Sequence, residues 1–160
     1  MSIKTAASLV ALISYAILPG CSDNRRDPCE LMTAMEVKSV DSSVSYSLWA
    51  GRDGEKSEDE VCMYYTSEGD PKVMLFVWYD KEKDPSSLVD RQDADDDSVV
   101  VDLPGVGSKA VAAFSDSELK LLAVKSVDGV VGIRVRKPVK RDSLELLEIV
   151  QLVETALSRI

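Results

Sequence analysis

Apolar residues in this chain recur first at helical spacing, then at strand spacing. After Asp27-Pro28, CELMTAMEVKSV places Leu31, Met32, Met35 and Val37 on a partly apolar helical face, with Pro28 suited to the first turn. VSYSLW (44–49) alternates with period two, Val44, Tyr46 and Leu48 on one side and serines mostly on the other. Beyond the polar loop GRDGEKSEDE come VCMYYT (61–66) and KVMLFVWYD (72–80), two strands joined by SEGDP. A five-residue connection holding Gly and Pro predicts an antiparallel hairpin.

The second half repeats the theme loosely. DPSSLVDRQ (84–92) reads as a short helix with Asp84 as its cap, DADDD (93–97) as a charged break, and SVVVDL (98–103) as an edge strand. PGVGS (104–108) is a turn, and strand patterns come after it at 110–115, 118–125 and 130–136. The last two strands meet at Val127-Asp128-Gly129, where Asp-Gly is a strong hairpin signal. DSLELLEIVQLVETALSRI (142–160) is the best helix: Leu146, Ile149, Val150, Val153, Leu157 and Ile160 form one stripe. Asp142 and Glu145 resemble a capping box at its start. Helix, three strands, short helix, three or four strands and a long C-terminal helix predict an α+β domain, an antiparallel sheet with helices packed on its face or faces.

The N-terminus obeys a different logic. Lys4 and the terminal amine precede a 13-residue apolar run, AASLVALISYAIL (6–18), too short to span a bilayer comfortably and suited to a signal-peptide core. It ends in Leu18-Pro19-Gly20-Cys21, which resembles the lipobox of bacterial lipoproteins, with Pro19 where a small residue is usual. The resemblance implies a leader over 1–20, lipidation of Cys21, a tether over 21–27 and a single domain over 28–160. Ser22 comes directly after the cysteine, which implies the outer membrane in a host with two membranes. A single-membrane host would carry the protein on the outer face of its plasma membrane.

Charge and composition narrow the chemistry. The 160 residues carry a net charge of −9, which argues against nucleic acid and against docking on anionic lipid. The chain has 0 histidines, so it lacks the commonest general base, any Ser-His or Cys-His pair, and the usual transition-metal ligand. With Cys21 assigned to lipid, Cys29 and Cys62 remain, and in an oxidising exported compartment such a pair predicts a disulfide. Neither a metal nor another cofactor is expected.

DPCELMTAMEV, the cysteine of Val61-Cys62-Met63-Tyr64 and LPGVGSKAV (103–111) occur in an order that resembles small bacterial lipoproteins of unknown function. These are of the actinobacterial type, with a Pro-Cys-x-Leu-Leu-Thr-x-x-Glu-Val opening and a Pro-Gly-x-Gly turn. Met32, and Ser108-Lys109, depart from that pattern. The resemblance implies a compact disulfide-closed fold, similar to the PsbP-like one, and no catalytic residues.

Three motif-like stretches have plainer readings. Gly105-x-Gly107-x-x-Ala110 matches part of a dinucleotide fingerprint, but Pro104 interrupts the approach and the next segment is β-like. Asp93, Asp95 and Asp97 imitate a calcium loop without its Gly or its bidentate Glu. Ser117-x-x-Lys120 lacks the companion motifs of serine-lysine enzymes.

Aromatics concentrate in the first three strands, and KVMLFVWYD is apolar on both alternating faces. One face must be buried; the other is covered by a second helix or left as a contact surface. Trp49, Tyr65, Met74, Phe76 and Trp78 are the candidates for a ligand or partner surface. The expected function is a membrane-anchored, non-enzymatic interaction module of the cell envelope with a protein partner. The alternatives are a carrier of a small apolar ligand or lipid in a pocket beside the aromatic-rich sheet, and an enzyme working through carboxylates.

Overall fold

The computed structural model describes residues 27–50, 60–92 and 97–160. The leader, Cys21 and the first two acidic positions of the calcium-like run, Asp93 and Asp95, lie outside the described residues. In chain order the elements are α1 (Pro28–Leu31), α2 (Ala34–Val37), β1 (Val44–Ala50), β2 (Glu60–Thr66) and β3 (Pro71–Trp78). They continue as α3 (Pro85–Gln92), β4 (Val99–Asp102), β5 (Lys109–Ser115), β6 (Glu118–Lys125), β7 (Val130–Val135) and α4 (Leu144–Leu157). The strands form one seven-stranded sheet, ordered β1-β2-β3-β7-β6-β5-β4, with every neighbouring pair antiparallel. A three-stranded meander is laid down first. The chain then crosses through α3 to the far edge and returns as a four-stranded meander whose last strand closes on β3.

The architecture is α+β, with a C-terminal helix and the Cys29–Cys62 disulfide. Three local details depart from the sequence pattern, each for a visible reason. The first helix is two short ones, because Met32 is extended and Thr33 starts the chain again as an N-cap. Thr33 Oγ1 accepts from the Glu36 N–H while the Glu36 carboxylate accepts from the Thr33 N–H, a complete capping box that restarts the helix. At α4 the cap is Ser143, whose hydroxyl accepts from the Leu146 N–H, rather than Asp142. In β1 a register shift between Val44 and Tyr46 breaks the alternation. Val44 is therefore fully buried, whereas Tyr46 and Leu48 are exposed.

Alternate strand positions feed two separate buried clusters. Cys62, Tyr64, Val73, Leu75 and Ile133 share one with Leu31 of α1, Val37 of α2, and Ile149 and Val153 of α4. Phe76, Trp78, Leu121, Ala123 and Val130 share the other with Leu88 and Val89 of α3. Gly132 lies directly beneath Leu88 in the second cluster. A Cβ there would stand 2.4 Å from Leu88 Cδ2, so a larger residue would require the end of the Leu88 side chain to shift. Burying a leucine such as Leu88 contributes about 1.5–3 kcal/mol.

Candidate contact surface on the open half of the sheet

Strand pairing turns the face that holds Phe76 into a grid. Leu48 lies opposite Met63, Met63 opposite Met74, and Met74 opposite Arg134. One row along, Tyr46 lies opposite Tyr65. Tyr65 in turn lies opposite Pro71, across a register shift that skips Lys72, and Lys72 is joined to Arg136 by the bond from the Arg136 N–H to the Lys72 carbonyl, 2.8 Å. One row the other way runs Ala50, Val61, Phe76 and Gly132, where Leu88 of α3 begins to cover the sheet. α3 thus serves β5, β6 and β7. Among the described residues, no helix contributes to the same face over β1 and β2.

This uncovered half is apolar and aromatic. Tyr46 and Tyr65 stack with ring centroids 5.2 Å apart and planes 13° from parallel, an arrangement that adds about 0.5–1.5 kcal/mol beyond simple burial when well shielded. The Tyr65 hydroxyl donates to Met63 Sδ at 3.3 Å. Leu48 is 55% exposed and Tyr46 38%.

The sequence-derived candidates fall into three places. Tyr65 and Met74 lie on the open half, each partly buried. Phe76 and Trp78 share their face but are buried in the α3 cluster, and Lys83 Nζ stands 5.5 Å above the Trp78 ring. Trp49 pairs with Cys62 and so belongs to the opposite face, where its Nε1–H donates to Glu60 Oε2 at 3.0 Å. Tyr46, Leu48 and Met63 complete the surface. The alternation of Tyr46 and Leu48 with Ser45 and Ser47 was the available signal in the sequence, obscured because Val44 stands in the same period but not on the same face.

The opposite face carries a clasp on α1 and α2. Cys29 is bonded to Cys62. The Tyr64 hydroxyl donates to the Met32 carbonyl, and burial pushes its ionisation above the ordinary tyrosine range. Arg159, just past α4, donates to the Leu31 carbonyl and to both Glu36 carboxylate oxygens. Arg159 holds the Glu36 carboxyl down from 4.5 to about 2, assisted by the Thr33 N–H and hydroxyl.

A lowered folded-state pKa means stability that is complete above the unfolded value of 4.5 and is lost as pH falls from there towards 2. Both side chains are about one-third exposed, so solvent screening limits the pair to about 1 kcal/mol. Glu36→Gln is therefore expected to lower stability by that amount near neutral pH and to flatten the acid limb of the stability curve. Urea titrations between pH 5 and pH 2 check this; an unchanged acid limb would show that the pair contributes nothing.

Two open clefts of about 260 Å³ each lie around the loop from Asp102 to Ala110 and between Gly107, Ser126 and the end of α4. Neither is lined by the aromatic strands. Gly105 and Gly107 take positive φ, 84° and 54°, as a tight turn requires, and the chain runs from them straight into strand β5. The helix N-terminus of a dinucleotide site is therefore missing at this place. Ser117 lies in the β5–β6 turn with φ of 66°. Among the described residues no group of three or more Cys, Asp or Glu is placed to hold a metal ion, and no helix is long and apolar enough to cross a membrane.

In comparisons with known proteins, no family model, no curated protein and no solved structure matches this chain.

Proposed function

We propose that this protein is an envelope lipoprotein of the small bacterial type. In this reading it is held to the membrane by lipid on Cys21 and acts as a non-enzymatic interaction module. The leader over 1–20 is removed, residues 21–27 form a short tether, and 28–160 fold as one domain with helices layered on both faces of the sheet. The working surface is the open half of the sheet. The observation that carries this reading is the outward pair Tyr46 and Leu48, exposed beside Tyr65 and Met63 on one face of the sheet. Exposed apolar groups grouped with aromatics and methionine suit a protein contact. A carrier would need an enclosed apolar cavity; the clefts at the Asp102–Ala110 loop and at the end of α4 are open and lie away from these strands.

Replacing Leu48 by a photoreactive amino acid tests the reading in intact envelopes. Irradiation is expected to join position 48 to protein, copies of itself included, while the same probe at Asp128, on the exposed β6–β7 turn, joins to none. Lipid adducts at position 48 would favour the carrier instead. The absence of any adduct would remove the contact surface.

A further inference from the structure

We propose that the open half of the sheet receives the outer face of α4 from a second copy of this chain, so that copies associate front to back. This rests on the reading of that half-sheet as a contact surface and names its partner.

Charge supplies the first argument. The chain carries a net −9, yet the strand positions facing the open half include no carboxylate. They do include Lys72 and Arg136, which lie directly opposite each other by the pairing of Val73 with Val135 and the bond between their own backbones. Like charges opposed across a sheet are destabilising, and an anionic group laid between them reverses that. The carboxylates nearest in sequence, Glu68 and Asp70, belong to the turn before β3. The surface thus grades from apolar at β1 to cationic at β3 and β7.

The outer face of α4 grades in the complementary sense. Leu144, Leu147, Gln151 and Glu154 succeed one another on one stripe of the helix, with Glu148 on its flank, and all are exposed. Leu144 is 78% and Leu147 58% exposed, unusual for leucines in an otherwise well-buried helix. One helical turn advances about 5.4 Å, and neighbouring strands lie about 4.8 Å apart. A helix laid across the strands therefore brings successive outward positions over successive strands. Leu144 falls over β1, Leu147 over β2, Gln151 over β3 and Glu154 over β7. Leucines meet Tyr46, Leu48 and Met63, and Glu154 meets Arg136.

The two surfaces lie on opposite sides of the molecule, since α4 shares its buried cluster with Cys62 and Tyr64. The contact is head to tail, so each added copy presents a fresh surface, and assembly continues as a row rather than closing as a pair.

The test uses the full chain expressed in a bacterium, with the photoreactive residue at position 48. The expected product is a ladder of multiples of the protein's own mass, with the crosslinked peptide drawn from 144–160 of a second copy. Arg136→Glu is expected to lower the yield about tenfold, and adding Glu154→Arg in the same chain to restore it. Adducts to a different protein would overturn the self-association and leave the interaction module standing. Adducts between position 48 of both copies would mean edge-to-edge pairing of β1 and would also overturn it. No adduct at all would remove both.

Discussion

Replacing Cys29 or Cys62 by serine is expected to lower the free energy of unfolding by about 3–4 kcal/mol. The bridge spans 33 residues, and closing a loop of that length removes about this much chain entropy from the unfolded state. Two further features place the effect at the upper end. α1 has four residues, far below the length at which a helix persists unaided, so its position depends on what it is fastened to. Cys62 is fully buried beside Leu75, with which it pairs, and a serine there buries a hydroxyl among apolar neighbours. Urea denaturation of the oxidised wild type, each variant and the reduced wild type gives the comparison. The reduced wild type and the variants are expected to agree within about 1 kcal/mol, the difference reflecting the new hydroxyl. A variant as stable as the oxidised protein would show that the bridge does not constrain the fold.

The second large effect concerns location. Cys21→Ala is expected to abolish incorporation of radiolabelled palmitate entirely and to release the protein from the membrane fraction. The run from Ala6 to Leu18 leads into Pro19-Gly20-Cys21, and its apolar length suits a cleaved leader better than a span. Label retained in the variant would overturn the anchor. Label lost but protein still sedimenting with membranes would separate lipidation from attachment and assign the latter to another surface.

Much of the fold was legible because the local signals agree with one another. KVMLFVWYD announces a strand buried on both faces, and β3 is central, with Val73, Leu75 and Val77 in one cluster and Phe76 and Trp78 in the other. Pro85 and Asp-Gly at 128–129 mark α3 and the last hairpin where they occur. The stripe on α4 is buried as its period predicts. The contact surface was only partly legible. A bulge reverses the side on which β1 presents its side chains after Val44, and no local residue preference signals it. Trp49 therefore faces the disulfide side, although its aromatic character groups it with Tyr65. Which half of the second face stays open depends on where α3 lands, a crossover from β3 to the far edge. Gly132 leaves room for the Leu88 side chain at that landing, but a lone glycine in a strand pattern does not declare which helix packs over it.

The bridge between α1 and β2 also decides how the molecule bears mechanical load. A pull on the chain ahead of Asp27 meets Cys29 two residues later and passes through covalent sulfur into β2, a strand hydrogen-bonded on both sides. Tension therefore bypasses the short helices and cannot peel them away one turn at a time; it must shear a strand from two neighbours at once. In the reduced protein the same pull would unzip from its end.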